Sequence, residues 1–294
     1  MELQWELIIF TTLVAWCAGL FASQCALALK GKATKAQMPA WIVSAALLAV
    51  GGVAVFFHLE HWNRIFNGFG HLSSGITQEL IAIVALAVVA VIYLIFLRKG
   101  NGKVPAWIAV LGIVASGALV FVMGHSYMMA SRPAWDSALQ ILSLFGGALG
   151  MGPATMAALN AWASSEAEAS EPSKTDGLMA VVGTAVNAVT TVGFIAAMSA
   201  ASSAFPQVGY YFDSTHPNAG MVDAAGLSPF AEGSMAIALV SIAAAVVALL
   251  FALLGKKQSK WLAWGVAAAV FAAIGAVALR VVFYQMGASV FLFF

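Results

Sequence analysis

Apolar runs long enough to cross a bilayer recur from one end of this chain to the other. A membrane core of about 30 Å takes roughly 20 apolar residues as a helix, and within it every backbone N–H and C=O must find a partner inside the protein. Continuous runs of this length, without strand alternation, select helices. Eight spans follow, at about 5–29, 40–59, 74–97, 105–130, 137–163, 177–201, 233–255 and 260–286. The expected fold is therefore all-α, a polytopic integral membrane helical bundle of about eight transmembrane helices. It forms a single membrane domain over 1–294. The first run has only Glu2 and Glu6 as charges ahead of Lys30 and is too long for a signal-peptide core, so it reads as a retained span.

Composition narrows the function classes. The chain is 62% hydrophobic and 9% charged, which excludes an ordinary soluble domain. A net charge of +1 gives no argument for a nucleic-acid partner. Cys17 and Cys25 share the first span, so they imply neither a disulfide framework nor a metal site. In the fifth span, "GGALGMGP" (146–153) predicts close helix contact and a kink at Pro153.

The basic residues set an orientation. Lys30, Lys32 and Lys35 fall between spans 1 and 2, and Arg98, Lys99 and Lys103 between 3 and 4. Lys174 falls between 5 and 6, and Lys256, Lys257 and Lys260 between 7 and 8. With eight helices all ten lie on one side, which the positive-inside rule makes cytoplasmic. Both termini are then outside, and Arg64, Arg132 and Arg280 belong to the outer face. The acidic connector "SSEAEASEPSKTD" (164–176) does not alter this, because acidic residues weigh little in the rule. The stretch 202–232, rich in aromatics, proline and glycine, reads as an outer cap or docking surface.

Against this background "HLEHWNRIFNGFGHLSSGITQEL" (58–80) stands out, with three His, two Glu and one Arg in an otherwise charge-poor chain. His58 closes span 2, and His61 and His71 follow in the outer loop, where they read as solvent or partner contacts. Glu79 opens span 3. His125 lies near the outer end of span 4, Arg132 and Asp136 sit in the "SRPAWD" turn, and Arg280 and Tyr284 lie in the outer part of span 8. Ionisable groups at membrane depth face cavities or partners rather than lipid. Their convergence on one level predicts a polar pocket near the outer surface. Trp62, Ile65, Phe66 and Phe69 have the spacing of an amphipathic face, so a short interfacial helix is expected at 61–69, the alternative being an irregular loop.

Three ligand classes fit such a pocket. A quinol releases two electrons and two protons on oxidation, and a histidine and a partly buried carboxylate suit the proton acceptors. A b-type haem needs two facing imidazoles, for which His58 and His125 are the candidates. A secondary transporter places its site near the midplane, where only Asn187, Thr190, Thr191 and the Gly–Pro break of span 5 offer polar chemistry or irregularity.

The pattern carried by His58, Leu59, Arg64, Phe66, Asn67 and Glu79 resembles the membrane-anchor subunit of dimethyl sulfoxide reductase-type molybdoenzymes, the DmsC-like family. "YMMASRPAWD" (127–136) and "RVVFYQM" (280–286) are similar to that family as well, and the resemblance extends along essentially the whole chain. One residue fewer separates Asn67 from Glu79 here. The resemblance implies an anchor in the bacterial cytoplasmic membrane that oxidises menaquinol. It implies no haem or metal in this chain, and partners comprising a ferredoxin-like iron–sulfur subunit with 4Fe–4S clusters and a molybdopterin catalytic subunit. It assigns quinol binding and oxidation to His58 and Glu79. Arg64, Asn67, His125, Arg132, Asp136, Arg280 and Tyr284 join them as quinol-site candidates on depth and chemistry alone.

Overall fold

The apolar runs become eight α-helices in a computed structural model that describes residues 3–58, 67, 70–164, 174–203 and 224–289. They are α1 (Trp5–Leu29), α2 (Gln37–His58), α3 (Gly75–Lys99), α4 (Ala106–His125), α5 (Ala138–Ala163), α6 (Lys174–Ala201), α7 (Met235–Gln258) and α8 (Trp261–Gln285). Every one is long and apolar enough to cross a membrane, and no strand occurs among the described residues. Short stops separate them. Gly31 at φ +63° turns the chain after α1, Gly100 N–H bonds back to Phe96 C=O at 2.8 Å after α3, and the Ser137 hydroxyl accepts from Leu139 N–H at the start of α5.

The fourth helix ends at His125, five residues short of the expected boundary. Met128 N–H bonds to His125 C=O, a tighter turn than the helix would continue, and the Ser126 hydroxyl is drawn into side-chain bonds. The residues that follow are apolar enough to read as span, but tertiary bonds turn them aside. The interfacial helix expected at 61–69 lies outside the described residues except for Asn67. Residues 204–223 of the expected cap also lie outside them, and its described end holds a single 3-10 turn, Ala224–Leu227.

Helices α1 and α5 form the centre of the bundle. In each, 72% of the most apolar stretch is buried, against 17% for the span containing α2 and 22% for α3. Their closeness depends on missing side chains. A Cβ at Gly19 would lie 1.9 Å from the Ala148 carbonyl oxygen, and one at Gly152 would lie 2.1 Å from the Gly19 carbonyl carbon. The close helix contact expected of the glycine-rich stretch of span 5 is present, and Pro153 lies inside α5. Helix α5 also packs on α6, α8 and α4, and α7 closes against α6 and α8.

Helices α2 and α3 stand at the edge. At the lysine-bearing end they are tied by polar contacts: Tyr93 Oη donates to Gln37 Oε1 at 2.7 Å, and Trp41 Nε1 donates to Ala90 C=O at 2.9 Å. Beyond Trp41 an apolar groove of about 260 Å3 opens between them, walled by Ser44, Leu48, Ala49, Leu86, Ala87 and Ala90. Val50, Val53, Phe57, Val84, Val88 and Val91 are exposed. Such an apolar surface suits lipid and would be a liability in water.

The loops sort by end. Lys32 Nζ bonds the Thr175 hydroxyl at 3.0 Å, and Gly102 approaches Thr34, so the lysine-bearing connections share one end. At the opposite end, Gly75 approaches Ser126, and Arg132 reaches Gly287. His58, Glu79, His125 and Tyr284 belong to this second end, called here the histidine end.

Candidate functional site

At the histidine end the local geometry begins with a glycine. Gly75 opens α3 directly against Ser126, and a Cβ there would lie 2.8 Å from the Ser126 side chain. One turn later on the same helix face comes Glu79, positioned by that close approach. Its carboxylate accepts a hydrogen bond from the Ser126 hydroxyl, which also lies 3.0 Å from Met123 C=O. The hydroxyl has one proton, so it serves one of these acceptors at a time. Glu79 is 7% exposed, a carboxylate almost wholly withdrawn from solvent yet held by a named donor.

Tyr127 follows in the turn. Its hydroxyl pairs with the Tyr284 hydroxyl at 3.3 Å, joining the α4–α5 connection to the last turn of α8. Burial pushes the Tyr127 phenol well above its ordinary value, Tyr284 and Glu79 add to that, and Arg280 opposes it. Tyr127 therefore remains protonated at neutral pH and can donate a hydrogen bond. Glu79 and Arg280 each act electrostatically on the Tyr127–Tyr284 pair.

An aromatic clamp holds this arrangement. Trp135 stacks on Phe283 with centroids 4.4 Å apart, and its Nε1 donates to Phe283 C=O at 2.7 Å. Arg132 lies over the Trp135 ring at 4.5 Å and donates to Gly287 C=O at 2.5 Å. Gly287 allows that closeness, because a Cβ there would run into Trp135. Arg132 thus fastens the "SRPAWD" turn to the end of α8. Partial burial lowers its guanidinium from the ordinary value.

The remaining candidates spread out. His58 is half-buried at the end of α2. His125 is exposed and stacks on Phe121, with centroids 5.9 Å apart. Asp136, Asn67 and His71 are exposed. Arg64, His61 and His216 lie outside the described residues. Tyr284 is 1% exposed and Arg280 is 3% exposed. Arg280 borders an interior cavity with Thr11, Thr12, Ser143 and Asn187.

Sequence reasoning missed Ser126 and Tyr127. Neither carries a charge, and neither lies within the His58-to-Glu79 segment. A signal was present: a serine and a tyrosine directly follow His125, at the membrane level of Glu79. No group of three or more His, Cys, Asp or Glu side chains able to hold a metal occurs among the described residues.

A family model described as the DMSO reductase anchor subunit (DmsC) matches residues 1–286, nearly the whole chain. A comparison with curated proteins gave no match.

Proposed function

Because the chain belongs to the family of DMSO reductase anchor subunits, and so is a multi-pass membrane protein, we propose that it oxidises menaquinol and passes the electrons to a docked iron–sulfur subunit. The observation that carries this reading is Glu79: a carboxylate buried at a helix end, held by Ser126, next to a protonated tyrosine pair.

Quinol oxidation releases two protons and two electrons. Glu79 takes one proton, and Ser126 orients the carboxylate oxygen that receives it. His58, at the same end of the neighbouring helix, takes the other. An imidazole and a carboxylate can both accept protons from a quinol's hydroxyls. Tyr127 and Tyr284 supply hydroxyls beside Glu79 that orient the ring or hand protons on. Arg132 acts by fixing the turn that carries Ser126 and Tyr127. The electrons leave to a 4Fe–4S cluster of a ferredoxin-like partner and then to a molybdopterin catalytic subunit, both docked at the histidine end. His71, Asp136 and Asn67 are exposed and available to that interface.

The groove between α2 and α3 supports the same reading. Its walls Ala49 and Leu86 lie about 14 Å below His58 and about 11 Å below Glu79 along their helices, from the rise of 1.5 Å per residue. An isoprenoid tail descending from a ring at His58 and Glu79 meets an apolar channel open to lipid. The family also favours an anchor over a transporter. The bis-imidazole alternative gains nothing from His125, whose ring stacks on Phe121 of its own helix.

The test is reduction of the partner's clusters in the purified complex, followed by electron paramagnetic resonance after adding a menaquinol analogue. His58→Ala and Glu79→Gln should each slow it by about 100-fold, the scale of a lost acid–base group. Reduction by an artificial viologen dye should be unchanged. Loss of both would assign these residues to assembly. Sidedness has its own test: a reporter fused at Phe294 should be active only outside the cytoplasm.

A further inference from the structure

Inside the bundle, one turn below Tyr284 on α8, lies a second polar site that quinol chemistry does not use. A small cavity of about 10 Å3, room for the centre of one water-sized sphere, is bordered by Thr11 and Thr12 of α1, Ser143 of α5, Asn187 of α6 and Arg280 of α8. All five are at least nine-tenths buried. The Thr12 hydroxyl and the Asn187 amide nitrogen have no hydrogen-bond partner. Arg280 has no carboxylate and no hydrogen-bond acceptor among the described residues. Its guanidinium carbon lies 5.1 Å from the Phe283 ring centroid.

The donor balance points to a particular occupant. Guanidinium donates only, and the free Asn187 nitrogen donates as well. The Thr12 hydroxyl can donate, whereas those of Thr11 and Ser143 already donate to Leu7 and Gln140 carbonyls. Donors therefore converge from three helices on a space with no acidic side chain. A buried cation without a counter-charge is strongly unfavourable in a membrane interior. The ionisable groups coupled to Arg280, Tyr127 and Tyr284, are neutral phenols and do not balance it.

We propose that this cavity is a binding site for one small monatomic anion of the size of chloride, the counter-ion of Arg280 and a tie between α1, α5, α6 and α8. A single site of this size admits chloride or bromide with slight adjustment of its side chains and excludes sulfate and gluconate. The proposal does not rest on quinol oxidation, and its readout needs no quinol.

The experiment measures radioactive chloride bound at equilibrium to the purified complex, after exchange into gluconate. One saturable chloride per anchor is expected, displaced by bromide and not by sulfate. Asn187→Ala and Thr12→Val should each weaken it by about tenfold, one lost hydrogen bond to a charge, and Arg280→Gln should abolish it. If Arg280→Gln does not assemble, the two milder variants decide. Absence of saturable chloride on the wild-type complex would overturn the proposal. So would undiminished binding in Asn187→Ala and Thr12→Val.

Discussion

The centre of this bundle and its edge are built on opposite terms. Helices α1 and α5 meet backbone to backbone through Gly19 and Gly152, with most of their surface buried. Helices α2 and α3 touch through a few polar ties near Trp41 and Tyr93 and leave an apolar groove between them. In a lipid solvent, hydrophobicity does not drive helices together, so close packing has to come from small residues. Between α2 and α3 the gap stays open although small residues, Ser44, Ala49, Ala87 and Ala90, line it. Glu79 and His58 lie at the histidine end of the two helices that flank that gap, where Tyr284 of α8 pairs with Tyr127.

This contrast predicts unequal responses to added bulk. Gly152→Leu drives a side chain into the α1 backbone and should cost at least about 3 kcal/mol, enough to deplete folded anchor on detergent extraction. Ala45→Leu, placed in the groove, should leave the amount of folded anchor unchanged and raise the KM for a menaquinol with a full tail. A short-tailed analogue should not be affected. Equal loss of folded protein in both variants would erase the distinction between centre and edge.

Smaller effects sharpen it at the site. Gly75→Leu pushes α3 away from Ser126 and should slow quinol-driven cluster reduction by tenfold or more, estimated from a displaced catalytic geometry, with dye-driven reduction intact. Ser126→Ala removes the donor to Glu79 and should cost about tenfold, the scale of one hydrogen bond to a charged group. Tyr284→Phe breaks the Tyr127 pair at 3.3 Å and should cost about threefold, the low end for a neutral hydrogen bond. A larger effect for Tyr284→Phe than for Ser126→Ala would move the reacting proton from Glu79 to the tyrosines.

Much of this architecture was legible in the sequence, for a physical reason. Lipid tolerates so few backbone solutions that an apolar run of span length already specifies a helix. The glycines of α5 were equally readable, because small residues have one main use there. The end of α4 was not. Ser126, Tyr127 and Met128 are apolar or neutral, and the helix gives way there to the Met128–His125 turn and the Ser126–Glu79 bond, which no local pattern signals. The level of Arg280 was readable from its position in α8. The direction it faces was not, because α8 is apolar all round and offers no polar stripe to orient it. Ser126 and Tyr127 escaped notice for a related reason: a neutral hydroxyl gains its role only from the charge folded against it.

The central claim is that quinol enters between α2 and α3, with its ring at Glu79 and His58. A menaquinone analogue with a photoreactive group on its tail, irradiated with the assembled complex and mapped by peptide mass spectrometry, tests this most directly. Labels should fall on groove residues such as Ala45, Leu48, Ala87 and Ala90, and excess unlabelled menaquinone should suppress them. Labelling confined to α7 and the lipid face of α8, or labelling that unlabelled quinone does not suppress, would contradict it.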